Sequence, residues 1–105
     1  MSELACTWDI NAFSAQAVYT GENRLVRVQG EGVCPKGGFS VTLVHVNPGI
    51  VPVPHQLMLG LVETAPDIGP DSLTPTPVDE VFEVSQVVTE VGIRGLGVIT
   101  VKEPA

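Results

Sequence analysis

A chain of 105 residues has room for one ordinary core, because a second would have too little surface to bury. An apolar share of 44% and a charged share of 16% exclude global disorder, which needs weak hydrophobicity and high charge. Twelve acidic residues against five basic ones give a net charge of −7, so phosphate backbones and anionic membrane surfaces would repel the chain, and neither nucleic acid nor membrane is an expected partner.

The first residues, Met1-Ser2-Glu3-Leu4-Ala5-Cys6, hold no basic stretch and run into Trp8, Asp9 and Asn11 where an export signal would be apolar. The expected location is therefore cytoplasmic. In a reducing cytosol Cys6 and Cys34 are expected as two separate thiols, and in an exported chain as a bridge. No apolar run approaches the ~18–20 residues of a membrane-spanning helix.

Eleven glycines and nine prolines separate short runs of Val, Leu and Ile, which is the punctuation of strands and turns. Ala15 to Thr20 reads as a strand closed by a tight turn at Gly21-Glu22-Asn23. From Arg24 onward, Val26 and Val28 fall on one face, with Leu25, Arg27 and Gln29 on the other; the same parity carries Cys34 inward past Gly30 and Gly32, where a bulge is expected. Pro35 to Gly38 turns the chain. Phe39, Val41 and Leu43 then alternate with Ser40 and Thr42 as a half-buried strand ending at Asn47-Pro48-Gly49.

Prolines at alternate positions make Ile50 to Pro54 an edge or polyproline segment, and Gln56 to Thr64 resumes as a strand with Leu57, Leu59 and Leu61 on one face. Ala65 to Pro77, with four prolines, reads as a long loop. Thr76-Pro77 resembles a helix start, yet the β-branched valines of Val78 to Val88 favour a pleated strand over a helix. A last pair, Val88 to Arg94 and Val98 to Val101, hinges at Gly95-Leu96-Gly97. The predicted fold over residues 1–105 is a single all-β domain of about seven strands: an immunoglobulin-like sandwich of two antiparallel sheets. The cysteine, tryptophan, cysteine order of that family is not met, since Trp8 follows Cys6 by two residues.

The run Gly30-Glu31-Gly32-Val33-Cys34-Pro35-Lys36-Gly37-Gly38, followed by the alternating strand and by Asn47-Pro48-Gly49, resembles a pattern in small bacterial β-rich proteins. The resemblance implies β architecture and brings no activity, cofactor or catalytic residue.

Two glycine clusters fail as nucleotide sites. Gly32 and Gly37 have the spacing that opens a phosphate loop, but Gly38 and Phe39 stand where Lys and Ser or Thr belong, and a strand follows instead of a helix. Gly92, Gly95 and Gly97 reverse the dinucleotide spacing and read as a turn. Lys36 beside Cys34 would favour a thiolate, but a base within about 2.6–3.2 Å is also needed. His45 and His55 fall at the far end of the next strands, so a packed, inert thiol is expected. Asp67, Asp71, Asp79, Glu80 and Glu83 lack calcium-loop spacing and read as solvated groups.

Two readings of function remain. Val44 and Val46 face away from Phe39, Val41 and Leu43, while Met58 and Val62 face away from Leu57, Leu59 and Leu61, so two neighbouring strands are apolar on both sides. That second face is expected either to be covered by the 65–77 loop or to meet another chain, which makes a non-enzymatic, self-associating module the first expectation: a homodimer or larger, or a complex with another protein. The second is a metal or small-ligand binder, in which His45 and His55 approach across a hairpin, with Met58 or Glu63 as a further ligand. No cofactor is expected under the first reading.

Overall fold

The computed structural model describes residues 5–46, 55–67, 69 and 71–103. The expected turn at Asn47-Pro48-Gly49 and edge segment at Ile50 to Pro54 lie outside them. Eight strands follow in chain order: β1 (Thr7–Trp8), β2 (Ser14–Thr20), β3 (Asn23–Cys34), β4 (Ser40–His45), β5 (Gln56–Thr64), β6 (Thr74–Val84), β7 (Glu90–Ile93) and β8 (Gly97–Lys102), with one 3₁₀ turn at Ile10–Ala12 between the first two. The chain is all-β, as its turn chemistry predicts.

The strands do not form the antiparallel two-sheet arrangement expected of an immunoglobulin-like fold. They lie on one hydrogen-bonded path, β1-β3-β2-β8-β7-β5-β4, with β6 on the other edge of β3. Two pairings are parallel, β2 with β8 and β5 with β7. The path curls into a half-barrel, bringing the His45 ring at one border edge-on to the Phe82 ring at the other, 5.5 Å between centroids. Alternation within a strand fixes which residues face inward, but says nothing of the neighbour's direction, which is why the parallel pairs are invisible in the sequence.

Each half of the sheet is built from long ladders. β3 pairs with β2 from Ser14↔Gln29 to Thr20↔Asn23, across a two-residue loop whose first member, Gly21, takes φ of 62°. Positive φ at that position suits the right-handed strand twist. β3 pairs with β6 without interruption from Arg24↔Val84 to Cys34↔Thr74, so the expected bulge at Gly30 and Gly32 is absent. These glycines seat aromatic rings instead. A Cβ on Gly30 would lie 2.3 Å from the Phe13 ring, and one on Gly32 would lie 2.5 Å from Trp8.

β6 also begins earlier than expected: Pro75 and Pro77, predicted as loop, stand opposite Val33 and Glu31. Two prolines at alternate positions share one side of the strand, and with no N–H to give they sit where β6 turns that side away from β3. Val78 to Val84 is strand, in line with its valines, and residues 85–89 are a connection rather than a continuation of it.

β1 shows why the two cysteines meet. Its register, Thr7↔Val33 and Trp8↔Gly32, sets Cys6 directly across from Cys34, with Cα atoms 4.1 Å apart. They form a disulfide, and both are buried. The expectation of two separate thiols is overturned by a two-residue strand too short to leave a periodic signal.

The core lies inside the curl, where Val26 and Val28 of β3 meet Leu59 of β5 and Val91 of β7, all fully buried. At about 1.5–3 kcal/mol for each large apolar side chain removed from water, this core carries the fold. The link between the halves, by contrast, is slight: β2 and β8 share only Ala15↔Val101 and Gln16↔Lys102. Two charged side chains fasten it. Arg24 on β3 reaches Glu103 just past β8, and Glu63 on β5 accepts hydrogen bonds from Ala5, Cys6 and Trp8 around β1.

Candidate functional site

The feature that stands apart is the outer face of β4, β5, β7 and β8. Pairing sets Thr42 opposite Val62 and Val44 opposite Gly60. Next to them, the Val46 N–H donates to the Met58 carbonyl at 3.1 Å. Met58 in turn stands beside Gly92, and Gly92 beside Val98, so one row runs from Val46, just past β4, across β5, β7 and β8 as Met58, Gly92, Val98.

Gly60 and Gly92 make this face smooth. A Cβ on Gly60 would come within 2.9 Å of Val46, and one on Gly92 within 2.9 Å of both Gln56 Oε1 and the Met58 sulfur. The valine and the methionine therefore lie across the glycines, half-buried, instead of standing off the sheet. Val44, Val62 and Val98 project into solvent, at 38%, 46% and 53% exposure. These positions carry no ionisable group; His55, Glu90, Arg94 and Lys102 stand around them. His55 Nε2 lies 3.2 Å from a Glu90 oxygen that also accepts from Gln56 at 3.0 Å.

The opposite outer face, on β3 and β6, also exposes Val33 and Val81, at 39% and 54%, but sets them among charged and polar groups. Arg27 grips Asp79 through Nε at 3.0 Å and Nη2 at 2.6 Å, with Gln29, Glu31 and Glu83 around them. The Arg27 guanidinium, through these hydrogen bonds, holds the Asp79 carboxyl below the usual carboxylate range.

The 65–77 stretch does not blanket the apolar face with its described residues. Pro66 and Gly69 pack against the Gly37–Gly38 turn, and Lys36 lies 3.7 Å from Asp71. Val44, Val46, Met58 and Val62 thus share one continuous face, as their parity predicts.

The two histidines are placed apart. His45 stands opposite Leu59, four residues from His55 along β5, or about 13 Å at ~3.3 Å per residue. The His45 ring is turned toward Phe82 on the inner side, whereas Met58 lies on the outer side. Glu63 is engaged by the Trp8 indole N–H at 2.7 Å and by two backbone N–H groups. Among the described residues no cluster of three or more His, Cys, Asp or Glu is arranged to hold a metal ion. Both cysteines are oxidised, so the thiol beside Lys36 is a bridge.

The sequence reading gave Arg24 no role and Glu63 only that of a metal ligand, although each carries a signal of the part it plays. Arg24 has the inward parity of Val26 and Val28, and Glu63 that of Leu57, Leu59 and Leu61. A charge on the buried parity of a strand must find partners, and both do.

Comparisons with protein-family models, with curated proteins and with solved structures found no match.

Proposed function

We propose that this chain is a non-enzymatic assembly module that packs the outer face of β4, β5, β7 and β8 against the same face of a second copy. The observation that carries this reading is the smooth floor where Val46 and Met58 lie across Gly60 and Gly92, from which Val44, Val62 and Val98 project. Monomers rarely present apolar faces of this continuity unless something covers them. The net charge of −7 narrows the choice of surface, because two copies repel wherever acidic groups meet and this face holds none at its centre. A face meeting its own image gives a closed two-fold pair, with sheets stacked about 10 Å apart.

Sedimentation velocity over micromolar concentrations tests the reading. The wild type sediments as a dimer or larger, and Val62→Glu or Val44→Glu, each placing a carboxylate at the centre of the contact, shifts it to monomer without lowering its melting temperature by more than a few degrees. A wild type that stays monomeric throughout removes the proposal.

A further inference from the structure

Arg24 is a guanidinium at only 3% exposure, held at the rim of an apolar core. Its two Nη atoms make a fork. Nη1 donates to Glu103 Oε1 at 2.7 Å and to the Tyr19 hydroxyl, while Nη2 donates to Glu103 Oε2 and to the Val88 carbonyl, both at 2.7 Å. The Tyr19 hydroxyl in turn donates a hydrogen bond to Glu103 Oε1 at 2.9 Å. Among the described residues, Nε of Arg24 is the buried side-chain polar atom left without a partner, so the neutralisation of this charge falls on the fork.

We infer that Arg24 and Tyr19 form a binding seat for a carboxylate, and that Glu103 is its tethered occupant. The chemical class follows from geometry: two parallel N–H bonds match the two oxygens of a planar carboxylate, and the phenol adds a third contact to one of them. The seat opens outward, because the Glu103 side chain is 53% exposed while the arginine beneath it is enclosed. A group arriving from solvent can therefore reach the fork once Glu103 is gone. An empty seat leaves a buried charge uncompensated, which is what drives its refilling. The seat also has leverage, since Arg24 and Tyr19 belong to the β2–β3 half, and Val88 and Glu103 to the β7–β8 half, beside the two-pair link between them.

The experiment compares Glu103→Ala with the wild type in sodium acetate and in sodium chloride, at neutral pH and equal ionic strength. In chloride the variant melts below the wild type. Acetate restores at least half of that loss in the variant and leaves the wild type unmoved, and the Arg24 side-chain nitrogen resonances of the variant move saturably as acetate is added. Equal melting in the two salts, or resonances that acetate does not move, overturns the inference. Should Glu103→Ala not fold in chloride, it is refolded in sodium acetate instead: recovery of folded protein supports the inference, and no recovery in either salt overturns it.

Discussion

The two ends of the curled sheet meet the same demand with opposite chemistry. At one end the β5 half sends a carboxylate, Glu63, to N–H donors around β1; at the other the β3 half sends a guanidinium, Arg24, to a carboxylate and a carbonyl. The Glu63 end is reinforced by the Cys6–Cys34 bridge and by the Trp8 and Phe13 rings, 5.9 Å apart, over two glycines. No covalent bond supports the Arg24 end. A short strand link can thus be secured by a covalent staple and packed rings, or by a fully used guanidinium fork. The two solutions differ in what undoes them, reduction for one and acid for the other.

Removing the bridge tests the first solution most severely. Cys6→Ser with Cys34→Ser frees a loop with a sequence separation of 28, and loop-closure entropy puts the cost at about 3.5 kcal/mol. Urea unfolding of the oxidised wild type and the double variant reads it directly. A cost near zero would mean that rings and hydrogen bonds hold β1 unaided.

Gly32→Ala comes next, because its new methyl would press into the Trp8 ring at 2.5 Å. Overpacking of this kind costs about 1–3 kcal/mol, and Trp8 fluorescence is expected to shift red as the indole is displaced. Glu63→Gln offers one acceptor oxygen where three N–H groups now share two, with an expected cost of about 1–2 kcal/mol and a fluorescence change of the same sign.

The smallest effect at neutral pH belongs to Glu103→Gln, which keeps one acceptor oxygen on the Arg24 fork where Glu103→Ala would empty it. Hydrogen bonds from Arg24, and then from Tyr19, lower the Glu103 carboxyl from an ordinary 4.5 to about 2. A folded-state value below the unfolded one contributes stability that is complete above pH 4.5 and is lost as pH falls toward 2. Acid titration of the wild type against Glu103→Gln should show this contribution fading in the wild type alone. Parallel acid profiles would mean that Arg24 is neutralised by something other than this carboxyl.

Much of the fold was legible because alternation reports burial. β4 and β5 announce themselves through Val41 and Leu43 and through Leu57, Leu59 and Leu61, and Gly95 and Gly97, with φ of 82° and 150°, mark the last hairpin. What stayed hidden depends on partners far along the chain. β1 is two residues long, and its disulfide follows only once Trp8 is known to sit over Gly32. Parallel pairing leaves no local trace, and Pro75 and Pro77 look like loop until one edge of β6 is known to be free of β3. The outer apolar face was readable from Val44, Val46, Met58 and Val62, but its smoothness was not, because Gly60 and Gly92 acquire meaning only through the side chains lying across them.

The Cys6–Cys34 bridge has a mechanical consequence. Tension applied on the Ala5 side passes through sulfur straight into the end of β3, so the 3₁₀ turn, β2 and most of β3 lie outside the path of force. With a sequence separation of 28, the oxidised chain pulled from its ends is about 95 Å shorter in contour than the reduced one. The β2–β3 hairpin then stays unextended while the strands beyond Cys34 are drawn out.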